Sequence, residues 1–372
     1  MNRTTRVFSL PLLVIAMCCV SPVQARPPGQ GKEEAQQSQQ PAANQKPIED
    51  SATFDADGTA LITRVVPMPS TVSPEARKYL YGLEKGNHPT ETLEQRRTGT
   101  DAWRKKQSVE ARRLFPVNVQ EKIIAGVRTD IITPLEIPQA NRDRVLINLH
   151  GGGFNADSGS LIEGVPICNL AKMKVVSVYY RLAPENPFPA AVDDVVAVYK
   201  DLLKSYKPEH IGIFGTSAGA TLTAEVTVKL RQLGLPQPGA LGMFSARPDF
   251  SRVTDSLQLF TLDGFPGPLA PGDPNHPPPD AYVGKTDPRD PVLSPLFAEL
   301  KNWPPSLSVT STRDLLLSDT SMFHLALLRA GNDAQLVVFE ALPHAFWYHF
   351  ELPETRDALD IMAKFFVDKL AH

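Results

Sequence analysis

The sequence predicts an α/β fold, a mostly parallel sheet covered by helices on both faces. Three observations carry that prediction. Beyond residue 116, short and nearly continuous apolar runs alternate with longer amphipathic stretches. Strands that read as unbroken apolar runs are buried on both faces, which requires helices above and below the sheet. Glycine-rich turns follow two of these runs, at 151–153 and 215–219. The composition agrees: 372 residues, 42% apolar and 21% charged, exclude wholesale disorder, collagen-like repeats and a coiled coil. A net charge of −3 gives no support to nucleic-acid binding by bulk charge.

Taken in order, residues 1–25 read as a secretory signal peptide. Arg3 and Arg6 form a basic start, and 7–20 is an uncharged, mostly apolar run too short to span a bilayer. Cleavage is expected after Ala25. Cys18 and Cys19 raise a lipoprotein reading, but Met17 and Cys18, which precede them, suit a lipobox poorly. No stable membrane anchor is therefore expected after cleavage, and the mature protein is expected in the periplasm or secreted. Cys168 would be its only cysteine, so no intramolecular disulfide is available, and its apolar setting reads as a buried hydrophobe. Residues 26–50 hold six Gln, four Pro and no aromatic residue. Such a segment buries too little surface to offset its ordering entropy and reads as a disordered tether.

Residues 51–115 read as an N-terminal helical region, and 116–372 as the α/β domain. Ser73-Pro74-Glu75 is a helix start, with a hydroxyl cap, Pro in the first turn and an acid at the positive end of the dipole. A second helix is expected from about Thr90 to Arg113. Its basic residues, Arg96, Arg97, Arg104, Lys105, Lys106, Arg112 and Arg113, read as a solvated face because Glu94, Asp101 and Glu110 interrupt them. Strands are expected at Val145–Leu149, Val175–Tyr180, Ile211–Phe214, Ala240–Phe244, Leu307–Thr310 and Leu336–Phe339. Helices are expected at Ala190–Leu203, Ala218–Leu233, Ser318–Ala330 and Pro353–Leu370. Gly264–Pro279 is dense in Pro and Gly and reads as a long loop.

The chemistry gathers at strand ends. Gly215-Thr216-Ser217-Ala218-Gly219 joins a strand to a helix. Such a turn exposes the serine oxygen above the sheet and sets it at a helix N-terminus, which favours developing anions. His150-Gly151-Gly152-Gly153-Phe154 follows the strand Val145–Leu149. Three glycines let backbone N–H groups approach a ligand closely, as an oxyanion hole needs. No Lys-Ser/Thr pair follows, so a nucleotide loop is unsupported. An acid and a base must then follow the serine in that order. Asp314, just past a strand, is preferred over Asp319, which falls within a helix. His344, in the loop after the last strand, is preferred over His349. No pair of histidines has metalloprotease spacing, so no metal or cofactor is expected.

Together, His150–Phe154, the segment Tyr180-Arg181-Leu182-Ala183-Pro184-Glu185 with Phe188-Pro189-Ala190-Ala191, and Gly215–Gly219 resemble the bacterial hormone-sensitive-lipase-like (family IV) carboxylesterases of the α/β-hydrolase fold. The Thr216 form resembles the branch with Gly-Thr-Ser-Ala-Gly. The resemblance spans about residues 55–370. It implies an eight-stranded, mostly parallel sheet with an N-terminal helical cap. It implies Ser217 as nucleophile, His344 as base, Asp314 as orienting acid, and the N–H groups of Gly152, Gly153 and Ala218 as oxyanion donors. His150, Gly151, Gly215, Gly219, Tyr180 and Arg181 would support the site, with Glu185, Asp193 and Asp194 bracing it. Tyr179 departs from the family, where many members carry Asp. The implied activity is hydrolysis of small-molecule esters of short to medium chain through an acyl-enzyme. The alternatives are a ligand-binding protein on a dead hydrolase fold, or an amidase, lactonase or deacylase using the same triad. A homodimer is admissible, although the sequence carries no interface signal.

Overall fold

The computed structural model describes residues 49–83, 92–157, 159, 161–260 and 281–370. The expected signal peptide, the tether up to residue 48 and the Pro/Gly-dense loop at 264–279 lie outside the described residues. The chain divides into two compact units, Met1–Val66 and Pro67–His372.

In the first unit, β1 (Ser51–Phe54) and β2 (Ala60–Thr63) form an antiparallel hairpin. Asp50 accepts from the Val65 N–H at 3.0 Å and pairs with Arg64. The helical reading of 51–115 does not include this hairpin. All its strand residues are exposed, so no buried face imposes an alternation on the sequence.

The second unit opens with α1 (Pro74–Gly82). The Ser73 hydroxyl accepts from the Ala76 N–H at 3.0 Å, while its own N–H and hydroxyl donate to Glu354. A reciprocal capping box between Thr92 and Gln95 starts α2 (Leu93–Leu114) slightly later than expected. Two strands that the sequence reading omits follow: β3 (Val117–Ile124) and β4 (Val127–Pro134), paired antiparallel across the turn at Ala125-Gly126. β3 is an edge strand, mostly exposed and rich in polar residues, so it lacks the apolar run that marks its neighbours.

The alternation then runs β5 (Val145–Leu149), α3 (Gly164–Ala171), β6 (Lys174–Val178), α4 (Ala190–Leu202), β7 (Ile211–Thr216), α5 (Ala218–Gln232) and β8 (Ala240–Phe244). It ends with α6 (Asp255–Phe260), β9 (Ser306–Arg313), α7 (Leu317–Arg329), β10 (Ala334–Pro343) and α8 (Pro353–Lys369). The sequence reading omits the six-residue α6 and also α3. Gly164 and Pro166 lower its intrinsic propensity, and burial of Val165, Ile167 and Cys168 forms it instead. The eight strands lie in the order β10-β9-β8-β7-β5-β6-β4-β3. All neighbours from β10 to β6 are parallel, and β4 and β3 are antiparallel. The C-terminal ends of β5, β7, β8, β9 and β10 therefore share one edge, where an open α/β sheet places its ligands.

The core lies on both faces of the sheet. Ile147 and Ile213 pack among α4 and α5 side chains, while Leu146 and Phe214 pack among those of α3 and α8. Phe366 of α8 meets Phe214 at a ring distance of 5.6 Å and is fully buried. Each such aromatic side chain contributes about 1.5–3 kcal/mol by leaving water.

Candidate active site

Ser217 stands between β7 and α5 with φ 58° and ψ −119°, a strained conformation for a residue with a Cβ. The turn holds it by packing. A Cβ on Gly215 would come within 2.3 Å of the Leu149 carbonyl oxygen, and one on Gly219 within 1.8 Å of the same atom. Both positions therefore require glycine, and the chain is forced over the end of β5. The Ser217 N–H donates to the Phe244 carbonyl at 2.9 Å, which ties the turn to β8.

His344 follows β10, and Asp314 follows β9. The His344 Nδ1–H donates to Asp314 Oδ1 at 2.7 Å, with both side chains buried. Asp314 Oδ1 also accepts from the Leu316 N–H at 2.8 Å. Its Oδ2 accepts from Thr310 Oγ1 at 2.9 Å and from the Ser245 hydroxyl. Burial pushes this carboxyl up. The facing His344 and the hydrogen bonds from His344, Ser245 and Leu316 outweigh that and hold it below the usual range. The two rival assignments separate cleanly. Asp319 is bonded to Thr254, and His349 bonds to Tyr79 of α1, the two rings tilted against each other.

Asp319 makes a stability prediction. Its Oδ1 is buried without a partner, and burial raises its pKa to about 6, against hydrogen bonding from Thr254 and the charge of Arg247. An acid whose folded pKa lies above its unfolded value costs stability once ionised. The cost is absent below about pH 4, grows as pH rises to about 6, and reaches about 2–3 kcal/mol above that. Asp319→Asn is expected to gain that amount relative to wild type between pH 4 and pH 7 in denaturant melts. A pH-independent difference between the two proteins rejects it.

Behind the glycine run lies a buried polar network. Gly151 donates its N–H to Glu163 Oε1 at 3.0 Å, and Glu163 also accepts from Asn148 Nδ2 and the Tyr348 hydroxyl. Arg104 of α2 pairs with Asp157 at 3.0 Å and with Glu163 at 3.6 Å, its guanidinium 4.6 Å from the centre of the Tyr348 ring. Burial works against the Arg104 cation, but Asp157, Tyr348 and Glu163 keep it charged. Burial raises Glu163 despite that cation. His150 stacks on Tyr180 at 4.2 Å, its Nδ1–H donates to the Gly151 carbonyl, and the Tyr180 hydroxyl donates to the His150 carbonyl at 2.7 Å. With Gly151 engaged by Glu163, Gly152 and Gly153 turn through φ 116° and 61°. Their N–H groups and that of Ala218 bond to no protein acceptor among the described residues.

Two sequence expectations change here. The basic residues of α2 are not all a solvated face. Lys105, Lys106, Arg112 and Arg113 are exposed, but Arg104 is buried. Arg97 donates to Glu185, to the Ala183 carbonyl and to the Asn155 carbonyl at 2.7–2.8 Å. A helical stripe through Arg97, Arg104, Ser108 and Ala111 marks the inward face and was the available signal. Next, Arg181 and Asp194 clamp each other at 2.8 Å at the start of α4, Glu185 serves Arg97, and Asp193 is exposed, so these acids do not act as one brace. Tyr179 donates to Asp130 of β4 beneath Arg128, just past the C-terminal end of β6. Glu163, Asp157, Tyr348 and Ser245 have no local motif that announces them. Cys168 is buried, its thiol pushed up to about 12, as an inert core residue should be. Among the described residues no cluster of His, Cys, Asp and Glu is placed to hold a metal, and no helix is long and apolar enough to cross a membrane.

The profile of a family described as alpha/beta hydrolase fold matches residues 146–348, more than half of the chain. An esterase of Acinetobacter venetianus is 30% identical over 272 residues, covering 68% of this chain and 84% of its own length. An acetyl-hydrolase of Streptomyces hygroscopicus is 32% identical over 241 residues, covering 61% of this chain and 77% of its own. Among solved structures, an esterase superposes with a TM-score of 0.74 at 29% identity, covering 84% of this chain and 99% of its own. An esterase from the bacterial hormone-sensitive lipase family gives a TM-score of 0.68 at 28% identity, covering 80% of this chain and 99% of its own. The strand order, the strained serine turn and these likenesses agree, and the chain belongs to the hormone-sensitive-lipase-like family IV carboxylesterases of the α/β-hydrolase fold.

Proposed function

We propose that this protein is a serine carboxylesterase that hydrolyses short- to medium-chain carboxylic esters through an acyl-enzyme. The observation that carries the reading is the buried His344–Asp314 pair at the same sheet edge as the strained Ser217 turn. Ser217 Oγ attacks the ester carbonyl while His344 Nε2 takes its proton. Asp314 holds Nδ1–H, so Nε2 is the basic nitrogen, and Asp314 stabilises the imidazolium that forms. The carbonyl oxygen becomes an anion facing the N–H groups of Gly152, Gly153 and Ala218, the last at the positive end of α5. His344 then protonates the leaving alcohol. A water molecule deprotonated by His344 attacks the acyl-serine, and the acid leaves as Ser217 regains its proton.

The short- to medium-chain preference rests on α2. Arg97 and Arg104 fasten this helix to the loop that carries the glycine turn, and a fixed cap limits acyl length. Hydrolysis of p-nitrophenyl esters from acetate to palmitate, run beside Ser217→Ala, tests the proposal. Turnover is expected to peak at short or medium chains and to vanish in the variant. No turnover on any chain, with no fluorophosphonate labelling of Ser217, rejects the enzyme and promotes a ligand-binding role.

Export of the mature chain from Arg26 onward is supported by the basic start and short apolar run at 1–25. Mass spectrometry of the exported N-terminus checks it. Protein that keeps residues 1–25 in the cytoplasm rejects it.

A further inference from the structure

One charged residue whose backbone is tied to the Ser217 turn takes no part in this acyl transfer. Arg247 lies three residues past the end of β8, at the sheet edge that carries Ser217. Two independent contacts place it. Its backbone N–H donates to Thr221 Oγ1 at 2.9 Å. Thr221 in turn donates to the Ser217 carbonyl, from its N–H at 3.0 Å and from its hydroxyl at 3.2 Å. On the other side, the Arg247 guanidinium lies 5.1 Å from the centre of the Phe250 ring. Phe250 meets Phe154, the residue after the Gly152-Gly153 turn, at a ring distance of 6.4 Å. Arg247 thus joins the first turn of α5 to the aromatic wall behind the proposed oxyanion donors.

Its guanidinium forms no direct ion pair among the described residues. Arg247 is half-buried, and its Nε is buried without an acceptor. Nη2 donates at 3.2 Å to the Arg252 carbonyl, a neutral group. Of the two acids nearby, Asp249 is engaged by Ser251 and Arg252, while Asp319 bonds Thr254 through one oxygen and feels the Arg247 charge without forming an ion pair with it. A guanidinium removed from water in this way is favoured when a carboxylate meets its planar fork, because the paired bonds are charge-assisted.

We infer that Arg247 receives an anionic group of the substrate, so that the preferred esters carry a carboxylate a few atoms from the scissile bond. This rests on Ser217 acting as proposed above. The carboxylate belongs to either the acyl or the alcohol part, and paired substrates separate the two. Monomethyl adipate is compared with methyl hexanoate for the acyl side. 4-Butyryloxybutanoate is compared with butyl butyrate for the alcohol side. Each pair differs by a terminal carboxylate in place of a methyl group, and the readout is the ratio of kcat/KM, charged over neutral.

In one of the two pairs, Arg247→Met is expected to lower this ratio about tenfold or more. Arg247→Lys is expected to restore part of it. Added salt should lower the wild-type ratio and leave the Met variant's ratio unmoved, a readout that survives if Arg247→Met folds poorly. A ratio unchanged by Arg247→Met in both pairs overturns the inference, as does a wild type that turns over the neutral esters but neither charged one. Absence of turnover on all four esters, without labelling of Ser217, is instead the failure of the esterase reading itself.

Discussion

His344→Ala is expected to lower kcat on the order of 10⁵–10⁶-fold with little change in KM, and Asp314→Asn about 10⁴-fold. The two losses have different causes. Removing His344 leaves Ser217 without a base, so its hydroxyl remains a weak nucleophile. Asparagine at 314 presents a donor to Nδ1 and favours the tautomer whose proton sits on Nε2, the nitrogen that must accept the serine proton. The carboxyl is built for this task, since it accepts from His344, Leu316, Thr310 and Ser245 while fully buried. Steady-state kinetics on a short-chain p-nitrophenyl ester separates kcat from KM. Equal activity of Asp314→Asn and wild type removes Asp314 from the site. The same depressed pKa has a stability consequence. A carboxyl whose folded value lies below its unfolded value of about 3.9 contributes stability that is present above that pH. The contribution is lost as pH falls through the folded value, so the stability difference between wild type and Asp314→Asn should shrink in acid.

Gly152→Ala is expected to cost on the order of 10²–10³ in kcat, the amount lost when one oxyanion donor is misplaced. A Cβ at Gly152 would lie 2.3 Å from the Ala156 carbonyl oxygen and 2.9 Å from its carbon, both backbone atoms, at φ 116°. The turn must open to admit it, and the N–H groups of 152 and 153 turn with it. Gly153→Ala is the internal control. At φ 61° its Cβ meets nothing nearer than Asn155 at 3.8 Å, and the left-handed conformation costs only about 1–2 kcal/mol. Its loss of kcat should be at least tenfold smaller than that of Gly152→Ala. Comparable losses at both positions would mean that the geometry of the turn is not what matters.

The strands that carry the chemistry were legible because they are buried on both faces. Val145–Leu149 and Ala240–Phe244 were read to the residue. Asp314 and His344 follow from chain order and from their places just past strands, and their contact at 2.7 Å agrees with that reading. What escaped lacks a period or a motif. β3 alternates weakly at an exposed edge, and α3 carries Gly164 and Pro166 against its own helicity. Arg104 was hidden among six other basic residues of one helix, although only it is buried with Asp157 and Glu163.

Local sequence therefore determined the groups proposed to carry the reaction: glycine where no Cβ fits, serine at a strand-to-helix turn, and an acid and a histidine at the ends of later strands. Such groups are set by backbone geometry within a few residues, and backbone geometry writes short motifs. Only the tertiary structure decided what holds them. Glu163 reaches Gly151 across 12 positions, Ser245 reaches Asp314 across 69, and Tyr348 reaches Glu163 across 185. Buried polar groups take whichever partner the packing brings within reach, so residues far apart in the chain satisfy one another with no pattern in the sequence to mark them.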